Sequence, residues 1–163
     1  MATEKQTIAV FGAGNIGGKL GSKWIAAGHQ VVFGVSDPNG KNAQTLRNDL
    51  GDKARIGSIS DALSNNPDVV ELALPGTAVD TIITTYAKQL NGRIIIESAN
   101  RMGSPTMNSF ETLQKQTPNA QIFRVFNTYG AINFENPQFP QGTASLFFCG
   151  PDGAARTKVE QLI

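Results

Sequence analysis

A chain of 163 residues, 40% hydrophobic and 17% charged, reads as one domain with enough apolar mass to bury a core of its own. A formal charge of +1 without a basic block removes the electrostatic case for nucleic acid or an anionic membrane, and a single cysteine excludes an internal disulfide framework. Met1 to Gln6 holds no apolar signal core, and nowhere do about 18 uncharged apolar residues run together, so the expected setting is the cytoplasm with no membrane span.

In chain order, Thr7 to Pro38 reads as a βαβ unit: an apolar run Ile8 to Phe11, a glycine-rich turn, a helix to about Ala27, and a second apolar run Val31 to Val35. The glycines stand where a dinucleotide needs them. Gly12 suits the tight turn out of the first strand, Gly14 lacks the Cβ that would hold off a pyrophosphate, and Gly17 lets the helix lie close on the sheet. Asn15 and Ile16 open that helix, whose unpaired N–H groups and positive dipole end favour an anion. Ser36 to Gly40 has turn chemistry, and Lys41 to Leu50 is a helix closed by Gly51.

A third strand is expected at Ala54 to Ile56 and a short helix from Ser60 or Asp61 to Leu63. A buried strand follows from Asp68 to Leu74, interrupted only by Glu71, then one long helix from Thr77 to Leu90 and another strand from Arg93 to Ile96. Strands apolar throughout and alternating with helices predict a doubly wound, mostly parallel α/β sheet, a Rossmann fold, with its ligand at the carboxyl ends of the strands. Beyond Ala99 the pattern loosens. Asn100 to Pro105 is a loop, Met107 to Gln116 a helix, Gln121 to Phe126 a strand and Ala144 to Cys149 another, and the Asn-, Pro- and Gly-rich stretch Asn127 to Gly142 is long for a loop without a function. Asp152 to Ile163 reads as a helix in progress.

FGAGNIGGKLG, GHQVVFGVSDP, the strand-end pair Leu74-Pro75, and RVFNTYGAINFENP followed by SLFFCG together resemble the NADP-dependent oxidoreductases related to deazaflavin (factor 420):NADP reductases. The resemblance covers nearly the whole chain, and its most specific part is Phe126 to Pro137. It implies hydride exchange between the nicotinamide of NADP and a flat second redox molecule, such as a deazaflavin, flavin or quinone-like acceptor, with no acid–base residue from the protein. It also implies a tail beyond residue 163 that completes the second-substrate pocket and serves a homodimer. The remaining class is a dinucleotide-sensing module without turnover.

The choice of dinucleotide falls at the end of the second strand. Asp37 is near the spacing of an NAD-type acid but precedes a proline in a turn. Ser36 stands where the family commonly carries Arg, and with charge from Lys41 or Arg55 it could take the 2′-phosphate of NADP. NADP is favoured, with NAD kept open. Leu74, Pro75 and Gly76 are expected beside the central ribose and nicotinamide, and Ser98, Ala99 and Asn100 on the same crevice, with Asn100 either binding cofactor or closing a local turn. By resemblance Asn127, Thr128 and Tyr129 border the second-substrate pocket, and Tyr129 with Phe134 is read either as an aromatic wall or as local core. His29 is expected at the amino end of its strand, away from the site. Cys149 is expected to be buried and inert, Trp24 to be core or interface, and no cluster has metal-ligand spacing.

Overall fold

The computed structural model describes residues 4–163. Its elements are β1 (Thr7–Phe11), α1 (Asn15–Ala26), β2 (Gln30–Gly34), α2 (Lys41–Leu50), β3 (Arg55–Gly57), α3 (Ile59–Ser64), β4 (Val69–Leu72), α4 (Val79–Thr85), α5 (Ala87–Leu90), β5 (Ile94–Glu97), α6 (Phe110–Gln116), β6 (Gln121–Arg124), the hairpin β7 (Gln138–Phe139) and β8 (Gly142–Thr143), and α7 (Ala154–Glu160). Six strands form one sheet in the order β3-β2-β1-β4-β5-β6, every neighbouring pair parallel. This is the doubly wound arrangement of a Rossmann domain, and the strand order reverses between β1 and β4.

The strands are apolar throughout because helices cover both faces. Ile8, Ala9, Val10 and Phe11 are all fully buried. Ile8, Val10, Phe33 and Ile96 pack with Leu20 and Trp24 of α1, Leu46 of α2 and Val159 of α7. Phe11, Val70 and Leu72 pack on the other face with Ile59 and Leu63 of α3, Ile83 of α4, Leu90 of α5 and Leu113 of α6. Each such side chain stabilises the fold by roughly 1.5–3 kcal/mol.

Three expected elements differ. The helix foreseen from Thr77 to Leu90 is two, broken at Tyr86 (φ −107°, ψ 17°). Its β-branched run Val79-Asp80-Thr81-Ile82-Ile83-Thr84-Thr85 is a poor helix former, and the Thr84 and Thr85 hydroxyls donate to the carbonyls of Asp80 and Thr81 at 2.9 and 2.8 Å, a local bond that bends helices. Tyr86 turns its ring edge-on to Phe11, centroids 6.4 Å apart. The helix expected from Met107 begins only at Phe110, after an Asx turn in which the Asn108 side chain accepts the Phe110 N–H at 3.0 Å. The strand expected from Ala144 to Cys149 is reduced to one antiparallel bridge, Cys149 with Arg124. Consequently Cys149 is exposed rather than buried.

Candidate functional site

β1 runs into Gly12, whose φ of +105° turns the chain sharply and whose N–H donates to Gly34 O at 2.9 Å. A Cβ here would stand 2.4 Å from Ala73 O, and one at Gly17 would stand 2.2 Å from Gly12 O, so both positions require glycine for packing. Gly14 differs. The nearest atom to a Cβ there is Asn42 Nδ2 at 4.0 Å, so the missing side chain leaves room in a cleft and not in the core.

That cleft, about 750 Å³, lies over the carboxyl ends of the strands at the switch between β1 and β4. Gly12, Gly14, Asn15, Ile16, Ser36, Asp37, Lys41, Leu74, Pro75, Ala99 and Asn100 all line it, and Gly17 lies buried behind it. Two helices open onto it. Gly14 is the N-cap of α1 and Gly40 that of α2, and neither start is capped by a side chain. Their first-turn N–H groups are left for an anion; α4, α5, α6 and α7 also start without a side-chain cap, whereas α3 carries a capping box between Ser58 and Asp61, and what sets α1 and α2 apart is that their starts open on the cleft. Glycine turn, open space and two uncapped helix starts fit a dinucleotide's phosphates.

At the β2 end, Asp37 shapes its own turn: its Oδ1 accepts the Asn39 N–H at 2.9 Å and its carbonyl accepts the Gly40 N–H at 3.1 Å. Arg47 Nη1 and Gln44 Nε2 donate to Pro38 O and Asn39 O, each at 2.6 Å, and fix the turn further. Ser36 and Lys41 remain at the rim. Arg55 does not join them; it lies outside the cleft and donates to Asn65 Oδ1 at 2.6 Å. Gly40 and Asn42 also line the cleft and were not singled out in the sequence; a helix opening directly after Asn39-Gly40, without a capping side chain, was the available signal.

At the β4–β5 end, Asn100 is part of a strut. Its Oδ1 accepts from Arg124 Nη2 at 2.8 Å and its Nδ2 donates to Asn127 O at 2.7 Å, so its side chain reaches partners distant in the chain and makes no local turn with them. Arg124 also pairs with the buried carboxylate of Glu97 and donates to Ala99 O at 3.1 Å. Burial raises the pKa of Glu97, while Arg124 and the Ser109 N–H oppose the rise. One pleat away, Glu71 is completely buried, bonded to Ser98 on the cleft floor, with its Oε2 unpartnered. Burial pushes its pKa up to about 8.

Asn127, Thr128 and Tyr129 follow β6 but do not line this cleft. The backbone enters that loop through Phe126 at φ +65°, an uncommon conformation for a bulky side chain, with its ring packed on Trp24 and Phe134. Phe134 is buried and Tyr129 leans on it at 5.3 Å, so the pair is local core and not an open wall. His29 sits at the amino edge, buried, its pKa lowered by that burial and its Nδ1 accepting the Gln6 N–H at 3.1 Å. Trp24 is core, its Nε1 donating to Leu162 O at 2.9 Å. Among the described residues no His, Cys, Asp and Glu cluster suits a metal and no helix is long and apolar enough to cross a membrane.

A six-stranded parallel sheet with a glycine-lined cleft at its switch point defines the class, the NAD(P)-dependent oxidoreductases of Rossmann fold. The chain belongs to the family described as NADP oxidoreductase, coenzyme F420-dependent, whose model matches residues 7–101. It is 25% identical over 131 residues to the glycerol-3-phosphate dehydrogenase (NAD(P)+) of Pseudomonas fluorescens strain Pf-5, covering 74% of this chain and only 38% of that protein. The crystal structure of a protein from Arthrobacter sp. FB24, provisionally named an F420-dependent NADP-reductase, superposes with a TM-score of 0.77 at 20% identity, covering 96% of this chain and 79% of that one. Glycerol-3-phosphate dehydrogenase from Coxiella burnetii gives 0.76 at 13% identity, covering 98% of this chain and 51% of that one. At such identities these structures establish the fold.

Proposed function

We propose that the cleft holds NADP(H) and that the protein passes hydride between its nicotinamide and a flat redox partner, a deazaflavin, flavin or quinone-like molecule. The observation that carries this reading is the pair of uncapped helix starts, α1 at Gly14 and α2 at Gly40, opening on one cleft. The first would take the pyrophosphate beside Gly12 and Gly14. The second, with Ser36 and Lys41, would take the 2′-phosphate of NADP. The nicotinamide half would lie along Leu74, Pro75, Ala99 and Asn100, with Asn127, Thr128 and Tyr129 on the side from which the partner enters.

When bound, the cofactor supplies the hydride chemistry. The protein's own part is to hold the two ring systems close and to exclude water. Apolar Leu74, Ala78 and Ile82 in the cleft wall serve the second task.

Calorimetric titration of NADP⁺, NADPH, NAD⁺ and NADH tests the reading. Binding of the NADP pair, tighter than of the NAD pair, is expected. No binding by any of the four would overturn it. Loss of NADPH absorbance on adding a deazaflavin, flavin or quinone then separates an oxidoreductase from a sensing module, which binds without consuming cofactor.

A further inference from the structure

Glu71 has no place in the scheme above, and nothing about packing requires it. Its position on β4 lies in register with Val10 of β1 on one side and Ile96 of β5 on the other, both apolar and buried in the sheet interior. An unexplained carboxyl in such a place costs several kcal/mol if charged, and a valine or leucine would fill it at no such cost. Its one hydrogen-bond partner is the hydroxyl of Ser98, and Ser98 lines the cleft at the β4–β5 end. Glu71 Oε2 has no partner at all.

We propose that Glu71, acting through Ser98, sets the protein's preference between oxidised and reduced dinucleotide. This rests on the reading of the cleft as an NADP(H) site. The physical reason is charge. The oxidised nicotinamide ring is cationic and the reduced ring is neutral, so a carboxylate beneath the cleft floor attracts the first and is indifferent to the second. The serine makes the same distinction by hydrogen bonding. Ionised Glu71 accepts the Ser98 O–H. Protonated Glu71 donates to Ser98 Oγ, which frees the serine proton for the cleft or for Leu72 O, 3.3 Å away.

The charged groups around Glu71 are few. β1 and β5 place Val10 and Ile96 beside it. Glu97 on β5 is the charge that acts on it, and that carboxylate is already paired with Arg124 of β6. On α1, Lys19 is held by Glu135 and Lys23 is exposed; on α7, Lys158 faces Asp68 at 3.7 Å and Arg156 is held by Asp152 and Glu160. His29 lies at the opposite edge of the sheet, against Gln6. The loop after β6 contributes Tyr129, stacked on Phe134.

The test is binding, not turnover. NADP⁺ and NADPH are titrated into the protein and into Glu71→Gln between about pH 6.5 and pH 9, a window that brackets the raised carboxyl. In the unaltered protein the affinity ratio of NADP⁺ to NADPH should rise by roughly tenfold across this range, and Glu71→Gln should hold it flat. By reciprocity NADP⁺ binding near pH 8 should release protons and NADPH binding should not, read from the calorimetric heat in two buffers of different ionisation enthalpy. This second measurement needs no variant. A ratio independent of pH, or the same rise in Glu71→Gln, would overturn the proposal while leaving the cofactor site standing. Failure of both dinucleotides to bind at any pH would overturn the site and the proposal together.

Discussion

Gly12, Gly14 and Gly17 are one motif in sequence, yet they would answer substitution differently. Gly14→Val places its side chain in the cleft, so NADP(H) affinity should fall at least about a hundredfold while the unfolding free energy from chemical denaturation falls by no more than about 1 kcal/mol, the loss of a glycine N-cap. Gly12→Ala meets the Ala73 carbonyl and a φ of +105°, so it should cost about 2–3 kcal/mol of stability. Equal loss of stability in both would place Gly14 in the core. At the rim, Ser36→Arg should raise the preference for NADP over NAD by roughly 1–3 kcal/mol, the scale of a charged hydrogen bond, as read from paired titrations; an unchanged ratio would put the 2′-phosphate elsewhere. Glu71 gives a prediction for the empty protein. Because its folded pKa is raised, to about 8, the folded state binds the proton more tightly than the unfolded state, and stability falls as pH rises from the unfolded value of 4.5 to about 8. Glu71→Gln should therefore be nearly neutral at low pH and stabilising by about 2–4 kcal/mol above pH 8, measured by urea unfolding across that range.

At the scale of elements, β5 and β6 are joined where the cleft ends by Glu97, Arg124, Asn100 and Asn127. Arg124 is the centre of that chain: it neutralises a buried carboxylate and holds the side chain that ties the loop after β5 to the loop after β6. Arg124→Met should cost about 3–5 kcal/mol, because Glu97 is left buried without its partner. If unfolding in urea shows a change below about 1 kcal/mol, the pair contributes little and the loops are positioned by packing alone. The break between α4 and α5 and the late start of α6 belong to the same scale. Both arise from side chains bonding to nearby backbone, Thr84 and Thr85 in one case and Asn108 in the other.

For the molecule as a whole, the cleft draws on β1, β2, β4, β5 and the starts of α1, α2 and α3, so a ligand that fills it bears on most of the sheet at once. NADP⁺ at about a hundred times its dissociation constant should add about 2.7 kcal/mol and raise the melting midpoint by roughly 5–10 °C. A midpoint that does not move at such concentrations would mean that NADP⁺ does not bind the folded protein. The amino edge of the sheet is held independently. Gln6 Nε2 donates to Lys158 O at 3.0 Å and Trp24 Nε1 to Leu162 O, fastening α7 on the side away from the ligand. The chain spans 38% of the length of the Pseudomonas fluorescens relative.

The sequence by itself determined the Rossmann sheet, the glycine turn and the crevice, because each rests on local signals. Ile8 to Phe11 is too apolar for anything but a covered strand, Gly12 and Gly14 mark a tight turn into a helix, and Lys41 to Leu50 closes at Gly51 as its composition predicts. Tertiary structure decided what depends on partners distant in the chain. The Asn100 amide finds Arg124 and Asn127, the ring of Phe134 is drawn under the loop by Phe126, and the Cys149 side chain is left outside because only one residue of its segment pairs with β6. Glu71 shows the limit most clearly. Along the chain it is one acid in an apolar strand; only the pairing of β4 with β5 brings it against Ser98 and beneath the cleft, since a sheet's neighbours are set by long-range register and not by local sequence.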